Sequence, residues 1–411
     1  MTNLSAATLD EMLVSDDFLS DPYPLLRRLR EEDPVHWSDS IGGWVLTRYD
    51  DIMTTFREVS QFSNEGRLAK VVEYLPPASR DKFKLLEDHY RIKSLIHSDP
   101  PDHTRFRALV TKAFSPRLVE AMRPRIQEIV NSLLDAVQDK GQMDVIQDLA
   151  VPLPVTVLAD IFGVPQSDQT AFKGWADDLL AFQGVNKPSE AALARSQGAI
   201  VEIEGYLARL IQERRRQPRQ DLLSELVAAE AEGGKLSEPE LLNSCITLLV
   251  AGHETTTSSI GNGIYTLLAH PDQWRLLQSN PSLLTSAIEE ILRYESPVAR
   301  QPRLMRQDTE MGGKQFREGE MVFQMLNAAN RDPAYFIDPE RFDITRERNR
   351  HLAFGLGIHF CVGATLARAE TNIVFSTVVK RLPAIRLATD QPNWDLHKPN
   401  SRMLKTLSVY F

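Results

Sequence analysis

The stretch Phe354-Gly355-Leu356-Gly357-Ile358-His359-Phe360-Cys361-Val362-Gly363, near the C-terminus, constrains this chain more than any other. Gly355 and Gly357 allow the backbone angles of a tight hairpin and let something large lie against it. An apolar segment, residues 364–382, follows with helical periodicity and stops before Pro383. Cys361 therefore lies beside a helix N-terminus, where unpaired amides and the helix dipole favour a thiolate over a thiol. Such a thiolate can be a nucleophile, a redox sensor, one arm of a metal site or an axial haem ligand. Cys245 is the one other cysteine, so a four-ligand zinc or iron–sulfur centre lacks ligands. A plain buried thiol is the simplest alternative.

Composition narrows the class. The chain has 411 residues, 42% of them hydrophobic and 25% charged, as in soluble globular proteins. Its net charge of −9 argues against nucleic acid as a partner. Two cysteines give no disulfide framework, which suits a reducing cytoplasm. Residues 1–21 show no basic and then apolar signal pattern, and the strongest apolar run, residues 245–252, is far short of a membrane span. No membrane association is expected.

Periodicity predicts mostly helix. A short helix over residues 22–30 ends at Asp33-Pro34, and a hairpin follows around Gly42-Gly43. Residues 64–96 read as irregular, with Pro76-Pro77 and the charged stretch 80–91. Asp99-Pro100-Pro101-Asp102 starts a helix over residues 104–114, and helical periodicity continues to about Arg216. The break at residues 184–189 reads as the tip of a mobile helical hairpin. Ser237-Glu238-Pro239-Glu240 is a capping box that opens a long helix ending near His270-Pro271. At about 1.5 Å per residue it spans roughly 45–50 Å. A helix over residues 283–294 comes next. Strand-like pieces lie near Leu304 and over 311–316, 321–325 and 404–411. No linker or repeat divides the chain, so residues 1–411 read as one domain, mainly α with minor β.

Inside the long helix stands Ala251-Gly252-His253-Glu254-Thr255-Thr256. One reading is a helix kink, with Thr255 bonding back one turn. Zinc fails, because His-Glu would need a histidine where Thr257 stands. Glu290-Ile291-Leu292-Arg293 is an E-x-x-R pair, a pattern that also starts at Glu120, Glu213 and Glu347. The Glu290 copy is followed by residues 330–333, Asn-Arg-Asp-Pro, and 339–343, Pro-Glu-Arg-Phe-Asp.

The F-G-x-G-x-H-x-C-x-G pattern resembles the haem-binding loop of the cytochrome P450 family, the haem-thiolate monooxygenases, at every fixed position. A-G-x-[DE]-T, E-x-x-R and D-P-P-[DE]-H-x-x-x-R are matched in the same order, over residues 99–363. The resemblance implies a P450-type fold with haem b (iron-protoporphyrin IX) between the long central helix and the cysteine-loop helix. It makes Cys361 the iron ligand, with Phe354 and Gly355 in the loop against the haem, and His103, Arg107, Arg303 and His359 partners of the propionates. Gly252 would leave room for dioxygen, while Glu254 and Thr255 would deliver the protons that O–O cleavage needs. Glu290, Arg293 and Arg341 would form the buried network behind the cysteine loop. Thr247, Val250, Ala251, Val298 and Gln301 would wall the substrate pocket.

The implied function is a soluble, bacterial-type cytoplasmic monooxygenase that hydroxylates or epoxidises a lipophilic small molecule. With no flavin or iron–sulfur domain in the chain, electrons come from a ferredoxin and a ferredoxin reductase. Arg105, Lys112, Arg346, Arg348, Arg350 and Arg368 would form the docking patch for an acidic ferredoxin. The rivals are a haem-based sensor or carrier, which needs no proton relay, and a haem-thiolate isomerase or dehydratase.

Overall fold

The computed structural model describes residues 8–68, 75, 77–179, 182, 188–231 and 236–411. Val35–Ser38 (β1) and Gly43–Leu46 (β2) form the expected hairpin, with Val35 opposite Leu46 and Trp37 opposite Trp44. Phe62–Ser63 (β3), Arg300–Met305 (β4) and Met321–Met325 (β5) complete a five-stranded sheet in the order β1-β2-β5-β4-β3. The β2–β5 pair is parallel and the others are antiparallel. Apolar residues of this sheet, among them Trp44, Phe62 and Val322, pack with Phe316 into a core of their own.

The rest of the described chain is dominated by helices. Those that build the site are Asp102–Ala113 (α1), Pro116–Gln138 (α2), Pro152–Phe162 (α3), Glu190–Arg216 (α4), Glu238–Ala269 (α5), Leu284–Tyr294 (α6) and Ala364–Arg381 (α7). Helix α5 begins at the capping box: the Ser237 hydroxyl accepts from the Glu240 amide, and the Glu240 carboxylate accepts from the Ser237 amide. Its 32 residues are buried on nearly every side, because α3, α4, α6 and α7 all pack on it. Gly263 makes one of these approaches possible, since a Cβ there would sit 2.4 Å from the Phe375 ring of α7.

The C-terminal segment expected as strand is two short strands, Leu404–Thr406 and Ser408–Tyr410, in different small sheets. Residues 64–96 depart further from expectation. Pro77–Arg80 and Lys84–Arg91 are helical. Leu86 and Tyr90 are buried, Glu87 is held by Arg80 and Arg91, and the Leu86 amide donates to Gln197 of α4. This order rests on pairing with a helix more than a hundred residues away, which local periodicity cannot register. The expected hairpin tip at 184–189 lies, apart from residues 188 and 189, outside the described residues.

Candidate active site

The cysteine loop is a left-handed double turn. Gly355 and Gly357 have φ of 68° and 70°, and a Cβ on Gly357 would meet the Phe56 carbonyl at 2.9 Å. A side chain there would force the loop off the helix Tyr49–Arg57, which carries Phe56. The Cys361 amide donates to the Phe354 carbonyl at 2.9 Å, closing the turn. Phe354 is held from above by the Arg368 guanidinium, 4.4 Å from its ring centre. The half-buried Cys361 sulfur receives the amides of Gly363 and Ala364. Burial nonetheless pushes the Cys361 thiol up, against those amides, Arg107 and Arg368. A helix terminus is therefore too weak by itself to set the thiolate; desolvation outweighs it. A metal cation on the sulfur would reverse that balance.

Beside the loop lies a cluster of cationic and imidazole groups without their anions. His103 of α1 and His359 stand with ring centres 4.2 Å apart, and the Nε2 atom of each is buried without a partner. Burial, then His103 and Arg303, pull His359 down to about 2. Burial pulls Arg303 of β4 down to about 9; it donates to the Pro302 carbonyl and lies 5.2 Å from the Phe56 ring centre. Arg107 donates to the Phe360 carbonyl at 2.5 Å. Buried donors facing one another need an acceptor of opposite charge between them. The two carboxylates of a haem fit this need, so the residues present suit the group.

On the far side, Thr247, Val250, Ala251, Glu254 and Thr255 of α5 line a cavity of about 210 Å³. The Thr255 hydroxyl donates to the Ala251 carbonyl at 2.8 Å, and Ser258 and Ser259 make the same backward bond. Glu254 is buried and accepts from Lys398 Nζ at 3.1 Å. Lys398 belongs to a C-terminal loop that also brings Asn400 and Ser401 to the cavity. Sequence reading missed this lysine, because nothing local marks it.

Three expectations about this wall need correction. Gly252 does not open onto the cavity: a Cβ there would point at Leu158 of α3, 3.1 Å away, so the glycine serves helix packing. Val298 and Gln301 are not among the lining residues. Gln301 sits in β4 opposite Gln324, with its amide oxygen 3.5 Å from Arg303, and Val298 packs on the sheet core while bridging to Ser401.

The family model described as Cytochrome P450 matches residues 73–281 and 274–407. This chain belongs to the cytochrome P450 family. Cytochrome P450 CYP107DY1 of Priestia megaterium is 41% identical, over 96% of this chain and 98% of the relative. Cytochrome P450 monooxygenase PikC of Streptomyces venezuelae is also 41% identical, over 99% and 95%. A solved myxobacterial P450, CYP267B1 in complex with myristic acid, matches with a TM-score of 0.87 at 40% identity, covering 97% of this chain and 98% of that one. The protein is a haem-dependent P450 monooxygenase that hydroxylates lipophilic small molecules with electrons from redox partners. No helix among the described residues is long and apolar enough to cross a membrane.

Within the P450 framework, the network behind the loop differs from expectation in one member. Glu290 and Arg293 of α6 are fully buried and paired twice at 2.8 Å. The third partner is Arg346, whose Nε donates to Glu290 at 3.0 Å and whose side chain is 11% exposed. Arg341 turns its side chain outward, 65% exposed, toward Asp343 at 3.9 Å. It contributes its backbone carbonyl, which accepts from Arg293 and Arg346. The irregular loop between them decides which arginine turns inward, and residue spacing carries no record of that turn.

The expected basic patch also thins. Arg105 is paired with Asp102 and Glu240, Arg346 with Glu290, and Arg368 with Glu289. Arg348 and Arg350 remain exposed, and the Lys112 side chain lies outside the described residues.

Proposed function

We propose that Cys361 ligates the iron of haem b through its sulfur, with His103, His359, Arg303 and Arg107 on the two propionates. The unpartnered Nε2 atoms of His103 and His359, beside the cysteine loop, are the observation that carries this reading. When bound, the haem supplies the activation of dioxygen and the oxidising power. The chain supplies position, exclusion of water and protons. Thr255 spends its hydroxyl proton on the Ala251 carbonyl, so its oxygen is left to accept a hydrogen bond and hold a water in place. Glu254, adjacent on the same wall, moves protons from solvent to that water. Val250, Ala251 and Ile246 give an apolar surface against which the C–H bond to be oxidised is held.

Electrons come one at a time from a ferredoxin served by its reductase. Support lies in Arg348 and Arg350 ahead of the cysteine loop, and in Ile358 and Phe360 on it, which are 37% and 38% exposed. The unpaired state of both cysteines suits a cytoplasmic setting.

The test is spectroscopic and then chemical. Wild type, reduced under carbon monoxide, gives the thiolate spectrum, and Cys361→Ser loses it while Cys245→Ala keeps it. With ferredoxin, reductase and dioxygen the wild type yields an oxygenated product. A thiolate spectrum retained in Cys361→Ser would refute the ligand, and a rearranged product formed without reductant would favour an isomerase or dehydratase.

A further inference from the structure

The distal cavity holds one charge with no answer. Of its ionisable lining groups, Glu254 is paired with Lys398, and His89 with Glu204 at 2.9 Å. Arg67, from the turn after β3, has neither an ion pair nor a side-chain hydrogen bond among the described residues, and its Nε is buried without a partner. Burial pulls the Arg67 guanidinium down to about 10, the sign of a cation lacking its anion. Asp99, the carboxylate that acts on it, is already occupied by the Ser63 hydroxyl and the Asn64 amide. Beside Arg67 stands His97, kept neutral by burial and by Arg67 itself, with Nδ1 at 3.3 Å from the Ser94 hydroxyl. The neighbouring surface is apolar: Ile96, Leu179, Ile246 and Val250.

A guanidinium withdrawn from water in this way is stabilised when a counter-charge arrives. Two sources could supply a carboxylate here, a haem propionate or a bound substrate. Arg67 stands close enough to His359 and Arg303 for its charge to act on both, but His103, His359, Arg303 and Arg107 would already give the propionates four partners. Arg67 alone of these five groups lines the cavity above α5. Its planar fork suits a carboxylate in two parallel hydrogen bonds. We propose that Arg67 anchors the carboxylate of an acidic, otherwise lipophilic substrate, with the His97 ring beside it and the apolar chain running along α5. This rests on the monooxygenase reading of the same cavity and names its substrate class. Cationic substrates are disfavoured, because the one acid on the wall is held by Lys398.

The experiment is a titration of the ferric holoprotein with laurate and with methyl laurate, following the Soret band. Wild type is expected to bind the acid about 10–100-fold more tightly than the ester, as a desolvated charge pair should. Arg67→Met is expected to lose that margin for laurate, leave methyl laurate unchanged and keep full haem content; Arg67→Lys should recover part of it. Laurate binding no tighter than the ester in wild type, or none, overturns the proposal. So does an Arg67→Met protein that loses haem, or that weakens for acid and ester alike, since the guanidinium would then serve a propionate or the fold. These constants are read without turnover, so a missing oxygenated product would count against the monooxygenase reading alone.

Discussion

Lys398 governs where the Glu254 carboxylate can go. The pair spans two elements, α5 and the loop before Leu404, and its 3.1 Å contact is largely out of water. A carboxylate that must pass protons to a neighbouring water works from one geometry, and a displacement of about 1 Å is costly. Lys398→Met is therefore expected to leave haem content unchanged and to lower product formed per NADH about 3–10-fold, with the balance appearing as peroxide. Lys398→Arg should restore most of the yield. The measurement is product and peroxide per NADH with ferredoxin and reductase; wild-type coupling in the methionine variant would assign the lysine to packing alone. Glu254 and Thr255 were legible in the sequence as neighbours on one helix. Lys398 was not, because 144 residues separate it from its partner.

At the scale of elements, the cysteine loop is seated on α6 through an irregular segment that makes few regular hydrogen bonds of its own. Arg293 donates to the carbonyls of Asn330, Pro339 and Arg341, and Glu290 accepts from Arg346, Asn349 and the Asp343 amide. These contacts replace the ladder that a strand would provide. Removing Arg346 leaves Glu290 with fewer of the donors that its buried charge requires. Arg346→Met should destabilise the protein by about 2–4 kcal/mol. Arg341→Met, which removes an exposed side chain and keeps the carbonyl, should stay within about 0.5 kcal/mol of wild type. Urea unfolding followed by tryptophan fluorescence and by the Soret band decides; equal losses in the two variants would mean that both arginines support the loop.

For the whole molecule, the acidic net charge of −9 makes a local basic face stand out. Once the ion pairs are counted, its described side chains reduce to Arg348 and Arg350 ahead of the cysteine loop, with Ile358 and Phe360 exposed on the loop itself. Steering by such a face accelerates encounter and weakens as salt screens it, with a Debye length of about 10 Å at 0.1 M. Arg348→Glu should slow reduction by ferredoxin about tenfold at low ionic strength and much less at high salt. Dithionite reduction and substrate affinity should not move. A reduction rate indifferent to both salt and the substitution would place docking elsewhere.

By itself the sequence determined the elements whose signals are local. The capping box at Ser237, the proline stop after α7, the Gly42-Gly43 hairpin and the glycine–cysteine loop all act within a few residues, where backbone geometry and hydrogen bonding are settled by neighbours in the chain. Family likeness extended that reading to the roles proposed for Cys361, for Glu254 with Thr255 and for the E-x-x-R helix. Tertiary structure decided the rest: Arg346 in place of Arg341, Lys398 on Glu254, Gly252 turned to Leu158, and Arg67 left alone at the cavity. Each depends on which way a long side chain, or a missing one, points once distant segments have packed. That direction follows from excluded volume and desolvation in three dimensions, and spacing along a chain does not encode it.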